Sequence, residues 1–278
     1  MWSDSLKIGV DKIDEQHEML FSKVHQLLDE LLDTGEYPKE KIISTILFLK
    51  DYAVTHFQDE EAYQLAIDDD NYLKHKKMHE NFIATVLKEE EKMVASDFAY
   101  KDVSEFTGTL IAWLTYHVSG VDQQIGKAAE TPAENESNAD IICDCFRNVI
   151  SSMLNINKDS IVKTEKHNET FKNSVTTKHS FTHVIKGYVV FDFSVSFISE
   201  FMYSLVGLRS DEIGDLGEPL LLQMSTTIIE KFYQRLNVDE YQLHESEMIL
   251  TEKDETYPNE RISFDTGVGL VEIGFAIA

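Results

Sequence analysis

Apolar residues recur every three or four positions along four long stretches in the first 127 residues of the chain. This spacing is that of amphipathic helices, each with one apolar side. The first stretch starts near Asp14, and the others cover about 38–65, about 72–93 and a segment that starts near Phe98 or Asp102. Because the connections between them are short, the pattern predicts an all-α four-helix bundle in up-down-up-down order over residues 1–127.

The period changes in the second half of the chain. Residues 128–138 are mostly small or polar and include Pro132, which predicts a linker. An amphipathic helix is expected to follow, and the alternation of apolar and polar residues over 160–198 predicts strands. Further helix is expected over 199–237, so residues 139–278 should form an α+β domain, and the whole chain two domains.

Two details of this second half are also predicted. Pro219 interrupts an otherwise helical stretch, so one helix should begin or end near Glu218. The segments 261–264 and 270–277 flank a glycine-containing turn and should form a closing hairpin.

The histidines and cysteines of the second half are not expected to form a metal site. His167, His179 and His183 have no carboxylate at ligand spacing, so we expect them to face solvent from the strands. Cys143 and Cys145 are the two cysteines of the chain, and they are expected to be core or half-buried thiols.

Charge and composition limit the partners. The formal net charge is −25, which argues against nucleic acid or an anionic membrane, because binding phosphate requires a basic face. No apolar run is long enough to span a membrane, and the N-terminus lacks a basic region followed by an apolar one. The two cysteines fit no disulfide framework. We therefore expect a cytoplasmic protein.

Candidate metal chemistry lies between residues 56 and 79. His56 and Glu60 are four residues apart, as are His75 and His79, so each pair projects from one side of a helix. The acidic run at 68–71 contains turn formers and separates the two helices. Imidazole and carboxylate ligands together suit iron, manganese or zinc.

Three more residues could complete the site. His17 lies on the apolar side of the first helix, where a lone histidine would more often be a hydrogen-bonded core residue. His117 and Asp122 are five residues apart, about 140° around a regular helix. Both can reach one centre only if the helix end is distorted, which Gly120 would ease. The alternative is that Asp122 is a surface residue.

In these motifs the sequence resembles the hemerythrin family in its bacterial form, over residues 1–127. The matching features are the early Trp2, the DEQH that ends at His17, the HxxxE and HxxxH pairs, and WLxxHxxxxD. The resemblance implies two irons joined by an oxo or hydroxo group. It assigns three imidazoles to one iron, two to the other and two bridging carboxylates, namely His75, His79 and His117, then His17 and His56, then Glu60 and Asp122.

With these ligands, the iron with two imidazoles keeps one position open, and the resemblance implies that dioxygen binds there. Phe21, Phe57 and Trp113 lie beside ligands or one turn away, and we expect them to form an apolar wall.

Residues 139–278 resemble the CheX/CheC group of chemotaxis phosphatases. The resemblance is carried by the opening helix, IKGYVVFDFS, GDLGE at 214–218 and FDTGVGLVEIGFAI. It implies a CheY-like receiver domain as partner and a homodimer through sheet edges. The Glu-x-x-Asn motif of the group is degenerate, because Glu218 is followed three residues later by Leu221. No catalytic residue is therefore assigned, and Glu218 is expected to remain as a partner contact. Leu221→Asn is expected to raise phosphatase activity if the helix around Pro219 presents both side chains together.

Three functions follow from these resemblances. The first is an oxygen or redox sensor in which the bundle modulates a CheX-like output domain. The second is an oxygen-regulated phosphatase of a CheY-type response regulator. The third is oxygen storage or delivery, with the second half as a dimerisation domain.

Overall fold

A computed structural model describes most of the chain, and it divides into two compact units, Met1–Glu130 and Thr131–Ala278. The described residues are 2–32, 38–127, 137–165, 174–182, 186–208, 214–236, 243–249 and 260–277. Most of the predicted linker, 128–136, lies outside them, as do His167 and His183.

The first unit contains the four predicted long helices, which are α1 (Asp11–Leu32), α2 (Lys39–Ala66), α3 (Tyr72–Ala95) and α4 (Tyr100–Tyr116). Each contributes fully buried apolar side chains to a shared core, including Leu27, Ile42, Met93 and Val103. The predicted helical bundle is therefore confirmed, and its first helix begins three residues earlier than the apolar pattern indicates.

An N-terminal arm packs on the start of α1. The Asp14 carboxylate accepts a hydrogen bond of 2.8 Å from the Ile8 N–H, which anchors the arm. The Trp2 ring then lies 6.1 Å from the ring of His17 and 5.9 Å from that of Phe21. The arm thus covers one end of the candidate ligand set.

The end of α4 is distorted in the way that the His117–Asp122 spacing requires. Residues His117–Val121 form a π-helix, followed by a 3₁₀ turn over Asp122–Gln124. The Asp122 N–H donates to the His117 carbonyl, an i→i+5 bond that brings the two residues to the same side. A Cβ at Gly120 would lie 2.8 Å from the Tyr116 ring, so close packing also requires a glycine there.

The second unit is an α+β domain with an antiparallel sheet, as predicted. Among the described residues the sheet has six strands in the order β1-β5-β6-β3-β2-β4. The helices are α5 (Asn138–Leu154), α6 (Val195–Val206) and α7 (Gly214–Arg235). The strands are β1 (Val162–Thr164), β2 (Val175–Thr182), β3 (Lys186–Phe193), β4 (Leu243–Ile249), β5 (Glu260–Asp265) and β6 (Leu270–Ile277).

The closing hairpin is confirmed, since β5 and β6 pair with Phe264 opposite Val271. The break predicted at Pro219 is not observed where it was expected, because α7 begins at Gly214 and runs through the proline. Pro219 lies only six positions into the helix. Its missing N–H therefore removes one hydrogen bond near the start, and the helix continues.

The expectation that His179 faces solvent is wrong. Its side chain is fully buried, and Nε2 lies 2.8 Å from the Ser225 hydroxyl on α7. Thr177 donates to the same hydroxyl at 3.0 Å, so a small polar cluster sits between β2 and α7. Cys143 and Cys145 are buried as predicted, and burial raises the pKa of each thiol to about 11.

Candidate metal centre

The structure brings all seven predicted ligand side chains to one place in the core of the bundle. They come from α1, α2, α3, the π-helix and the 3₁₀ turn after it, and none is more than 3% exposed. This degree of burial is unusual for imidazoles and carboxylates unless they are paired or bind a metal. The alternative reading of Asp122 as a surface residue is therefore wrong, and His17 lies beside Asp122 among the other candidate ligands.

Three imidazoles form the first group of donor atoms. Nε2 of His117 lies 3.1 Å from that of His75 and 3.0 Å from that of His79. Oε2 of Glu60 lies 3.2 Å from Nε2 of His75 and 3.1 Å from Nε2 of His79. Oδ1 of Asp122 lies 3.1 Å from Nε2 of His117. Five donor atoms therefore surround one point.

The second group contains His17 and His56, whose ring centroids are 4.7 Å apart. Nε2 of His17 lies 3.1 Å from Oδ2 of Asp122 and 3.8 Å from Oε1 of Glu60. These are the carboxylate oxygens that do not face the first group. Each carboxylate thus offers one oxygen to each group, which is the arrangement of a bridging ligand.

Hydrogen bonding leaves several of these buried atoms unsatisfied. Both oxygens of Glu60, both oxygens of Asp122 and both ring nitrogens of His17 have no hydrogen-bond partner among the described residues. Buried polar atoms in native proteins are nearly always paired, so a group of orphans requires an explanation. Cations between the two groups would satisfy the carboxylate oxygens and Nε2 of His17, and the residues present therefore fit a two-metal centre.

The protonation states also suit cation binding at most of these positions. Burial lowers the pKa of His56 to about 3 and that of His117 to about 4, so both imidazoles are neutral. Burial raises the pKa of Glu60, but the adjacent imidazoles of His117, His75 and His79 outweigh it and hold that pKa well below the usual range. Burial also acts against the ionised Asp122, yet the neighbouring imidazoles keep its pKa low.

His75 behaves differently. Burial lowers its pKa, but the adjacent carboxylates of Asp122 and Glu60 outweigh that effect and raise the pKa to about 10. A bound metal would have to displace this proton, because only a neutral imidazole can act as a ligand.

Sequence reasoning missed the side chains that hold three of the imidazoles from outside. Nδ1 of His79 lies 3.2 Å from Oε1 of Glu61, and Nδ1 of His75 lies 2.6 Å from the side-chain amide of Gln64. Nδ1 of His56 lies 3.3 Å from Oε1 of Gln16. Such outer partners orient metal-binding imidazoles. The available signal was position, because Gln16 and Glu61 each adjoin a ligand in sequence.

Aromatic rings cover the imidazoles on the interior side. Phe57 stacks on His79 with centroids 3.9 Å apart, and Trp113 stacks on His117 at 4.2 Å. Both residues were expected in an apolar wall. Phe21 packs against Trp2 of the arm instead, and Phe82, which stacks on Trp113 at 3.7 Å, was missed.

A cavity of about 80 Å³ lies next to this wall, in the middle of the bundle. It touches His56 and His117, one imidazole from each group. The rest of its lining is apolar except Lys50, which pairs with Glu90 at 2.6 Å. The centre therefore adjoins an apolar space large enough for a small molecule.

The second unit carries its candidate residues on α7. Glu218 is exposed, whereas Leu221 is fully buried on the side that faces β2. Ser225, one turn further along that side, bonds to Thr177 of the strand. A polar residue at position 221 would therefore enter the core, so the condition for Leu221→Asn to raise phosphatase activity, that the helix present both side chains together, is not met.

A bundle that collects five imidazoles and two shared carboxylates defines the class as a metal-binding helical bundle. The Hemerythrin HHE cation binding domain family matches residues 8–129. The bacteriohemerythrin of Clostridium acetobutylicum is 32% identical over 127 residues, which are 45% of this chain and 96% of that protein. The chain therefore belongs to the hemerythrin family through its first half.

Solved structures of chemotaxis proteins align with the second half. CheX from Vibrio vulnificus is 10% identical with a TM-score of 0.43, covering 51% of this chain and 99% of that one. In a CheX–CheY–BeF₃–Mg²⁺ complex from Borrelia burgdorferi, the matching chain is 15% identical with a TM-score of 0.42, covering 51% and 99%. At these scores the likeness carries no argument about activity or partner.

Within the part of the chain that the structure describes, no helix is both long enough and apolar enough to cross a membrane.

Proposed function

We propose that this protein senses dioxygen or redox state at a di-iron centre in its first unit and that the second unit is the output domain. The observation that carries the proposal is the pair of donor groups that share Glu60 and Asp122 through opposite oxygens. Because the two groups share these carboxylates, a change of ligand or charge at one metal position would alter the ligands of the other.

The number of donor atoms in each group supports an open coordination position, available to dioxygen, at the metal of the second group. The first group has three imidazoles and two carboxylate oxygens, whereas the second has two imidazoles and two oxygens. Two irons bound there would supply reversible electron exchange with dioxygen. His17 and His56 would hold the iron that is short of one ligand, and that is the position where we place dioxygen.

The surroundings of this position favour reversible binding over loss of the oxygenated form. The cavity beside His56 is lined by apolar side chains, and Phe57 and Trp113 cover the imidazoles. An apolar shell limits the entry of water and protons and lowers the local dielectric constant. These side chains would therefore admit a small apolar molecule and exclude solvent.

The second unit offers surfaces for an output. Glu218 is exposed on α7, where it can contact a CheY-like receiver domain. Among the described residues β1 and β4 are the edge strands of the sheet, and an open edge can pair with a second copy. Exposure of Glu218 also favours the second candidate function, the phosphatase, but the buried Leu221 argues against it.

The test uses the full chain produced in iron-containing medium. We expect two irons per chain and a visible spectrum that changes reversibly between air and nitrogen. Affinity for a receiver domain, or the oligomer size, should differ between the two atmospheres. An unchanged output with reversible oxygen binding would instead favour storage, and a chain without iron would refute the proposal.

A further inference from the structure

A row of three side chains connects His56 to the surface of the bundle. Oε1 of Gln16 lies 3.3 Å from Nδ1 of His56, and the Gln16 amide N–H donates to Oδ2 of Asp59 at 2.7 Å. Oδ1 of Asp59 lies 2.7 Å from the Lys12 ammonium. Gln16 is buried and Lys12 is exposed, so the row links a surface cation to an imidazole in the core.

The chemistry of this row allows one direction of hydrogen bonding. Asp59 forms an ion pair with the Lys12 ammonium at 2.7 Å, and a carboxylate can only accept hydrogen bonds. The NH₂ of Gln16 must therefore face Asp59, and its carbonyl oxygen must face His56. Because a carbonyl oxygen also only accepts, Nδ1 of His56 has to carry the ring proton.

We propose that Gln16 and Asp59 are positioning residues that fix the tautomer and ring orientation of His56, so that its Nε2 lone pair faces the metal of the second group. This inference rests on the proposed function, since it requires a metal at that position. In this role Gln16 and Asp59, which lie outside the ligand set, hold His56 in the orientation that metal binding at the second group requires.

The other imidazoles are held differently. Glu61 accepts directly from Nδ1 of His79, whereas Gln64 meets Nδ1 of His75 without a further group that fixes its amide, and its Oε1 has no hydrogen-bond partner among the described residues. In the second group, Nδ1 of His17 likewise has none in the described part of the chain. The support for that group therefore comes through Gln16.

The first test is a Co²⁺ titration of the full metal-free chain, followed by visible absorption. Gln16→Leu removes the acceptor at nearly constant volume, and we expect the weaker of two binding steps to lose about 10–100-fold in affinity. The tighter step should stay unchanged. Gln26→Leu is the matched control, because it makes the same change on α1, where Gln26 contacts Lys23 and Glu30 and no ligand. Thermal unfolding of each metal-free variant shows whether the bundle is intact.

The second test reverses the direction of the row. Gln16→Glu alone places two carboxylates against each other, and Asp59→Asn alone lets the Gln16 amide turn over. The double variant restores an acceptor facing His56 and a donor facing position 16. We expect each single variant to weaken the second step and the double variant to recover it. Asp51→Asn, on an exposed position of the same helix, is the control for charge loss.

The outcomes separate this inference from the proposed function. If the unmodified chain binds fewer than two Co²⁺, the proposed centre itself is wrong. If it binds two and Gln16→Leu equals Gln26→Leu, the centre stands and the positioning role is refuted. Equal weakening of both steps, or a double variant no better than the singles, would also overturn the role, because it would indicate a general packing effect.

Discussion

The two units treat buried histidines in opposite ways. In the first, five imidazoles and two carboxylates meet in the core, and several of their polar atoms have no hydrogen-bond partner among the described residues. In the second, Nε2 of the buried His179 lies 2.8 Å from the Ser225 hydroxyl, which also accepts from Thr177. Burial of a histidine is therefore weak evidence for a ligand site, and the unsatisfied donor set around it is what indicates one.

The two family motifs differ in the same respect. All seven candidate ligands of the first unit meet at one site, even where a π-helix is needed to bring Asp122 to His117. On α7, the sequence resemblance expects an asparagine at position 221, where Leu221 is buried while Glu218 is exposed. The candidate residues of the first unit are therefore together, and those of the second lie on different sides of their helix.

The largest effect is expected from Asp122→Ala. This change removes a carboxylate that both donor groups share, so we expect loss of both irons, measured by elemental analysis of the full chain. Asp70→Ala, an exposed aspartate in the α2–α3 connection, should retain the metal. Full iron content in Asp122→Ala would show that this carboxylate is not a bridge.

His56→Ala should affect the second donor group and leave the first group intact. The second group would keep one imidazole, while the first keeps three, so oxygen binding should be lost and about half of the iron retained. Iron content and the visible spectrum under air measure the two effects separately. His25→Ala is the control, because His25 donates to the Phe21 carbonyl and lies outside the ligand set. Unaltered reversible oxygen binding would contradict the assignment of His56.

Leu221→Asn should destabilise the second unit without producing a phosphatase. Loss of a buried leucine together with burial of an amide should cost roughly 3–5 kcal/mol in free energy of unfolding. Denaturant unfolding of the variant measures the loss, and an assay on a phosphorylated receiver domain measures the activity. Leu208→Asn, at a partly exposed leucine, should have a much smaller effect. Increased phosphatase activity would mean that the side chain can reach a partner.

The buried His179 should make the second unit sensitive to acid. Burial lowers its pKa to about 4, whereas the unfolded chain has an ordinary value, so the unfolded state binds more protons between the two. Stability should therefore fall as the pH drops from about 6.5 to 4, by at most about 3 kcal/mol. His179→Gln should remove this part of the pH dependence, and a variant with the parent's full acid sensitivity would refute the explanation.

The smallest structural effect is expected from Glu218→Gln. This side chain is exposed, so the free energy of unfolding should change by less than about 0.5 kcal/mol. Affinity for a receiver domain should nevertheless fall, and titration calorimetry measures it. Glu260→Gln, an exposed glutamate at the start of β5, should leave the affinity unchanged. Equal affinities for the two variants would place the partner surface elsewhere.

Much of the architecture could be predicted because periodicity reports directly on burial. The four stretches with a helical period became α1 to α4, and the closing hairpin formed where alternation and glycines placed it. The prediction from periodicity was wrong for His179. Alternation shows that a strand has two faces, but it does not show which face the helices cover. The prediction also failed at Pro219, since a proline near the start of a helix removes a single hydrogen bond and does not end it.

The sequence by itself determined which seven residues are the candidate ligands, because residues of the right types recur at fixed spacings. Only the tertiary structure showed how these seven residues are arranged in two donor groups. It placed the two oxygens of each carboxylate towards different imidazole groups, and it placed Gln16 and Asp59 behind His56 although Asp59 is 43 residues away from Gln16 in the chain. Such contacts depend on how helices pack against each other, which spacing within one helix cannot specify.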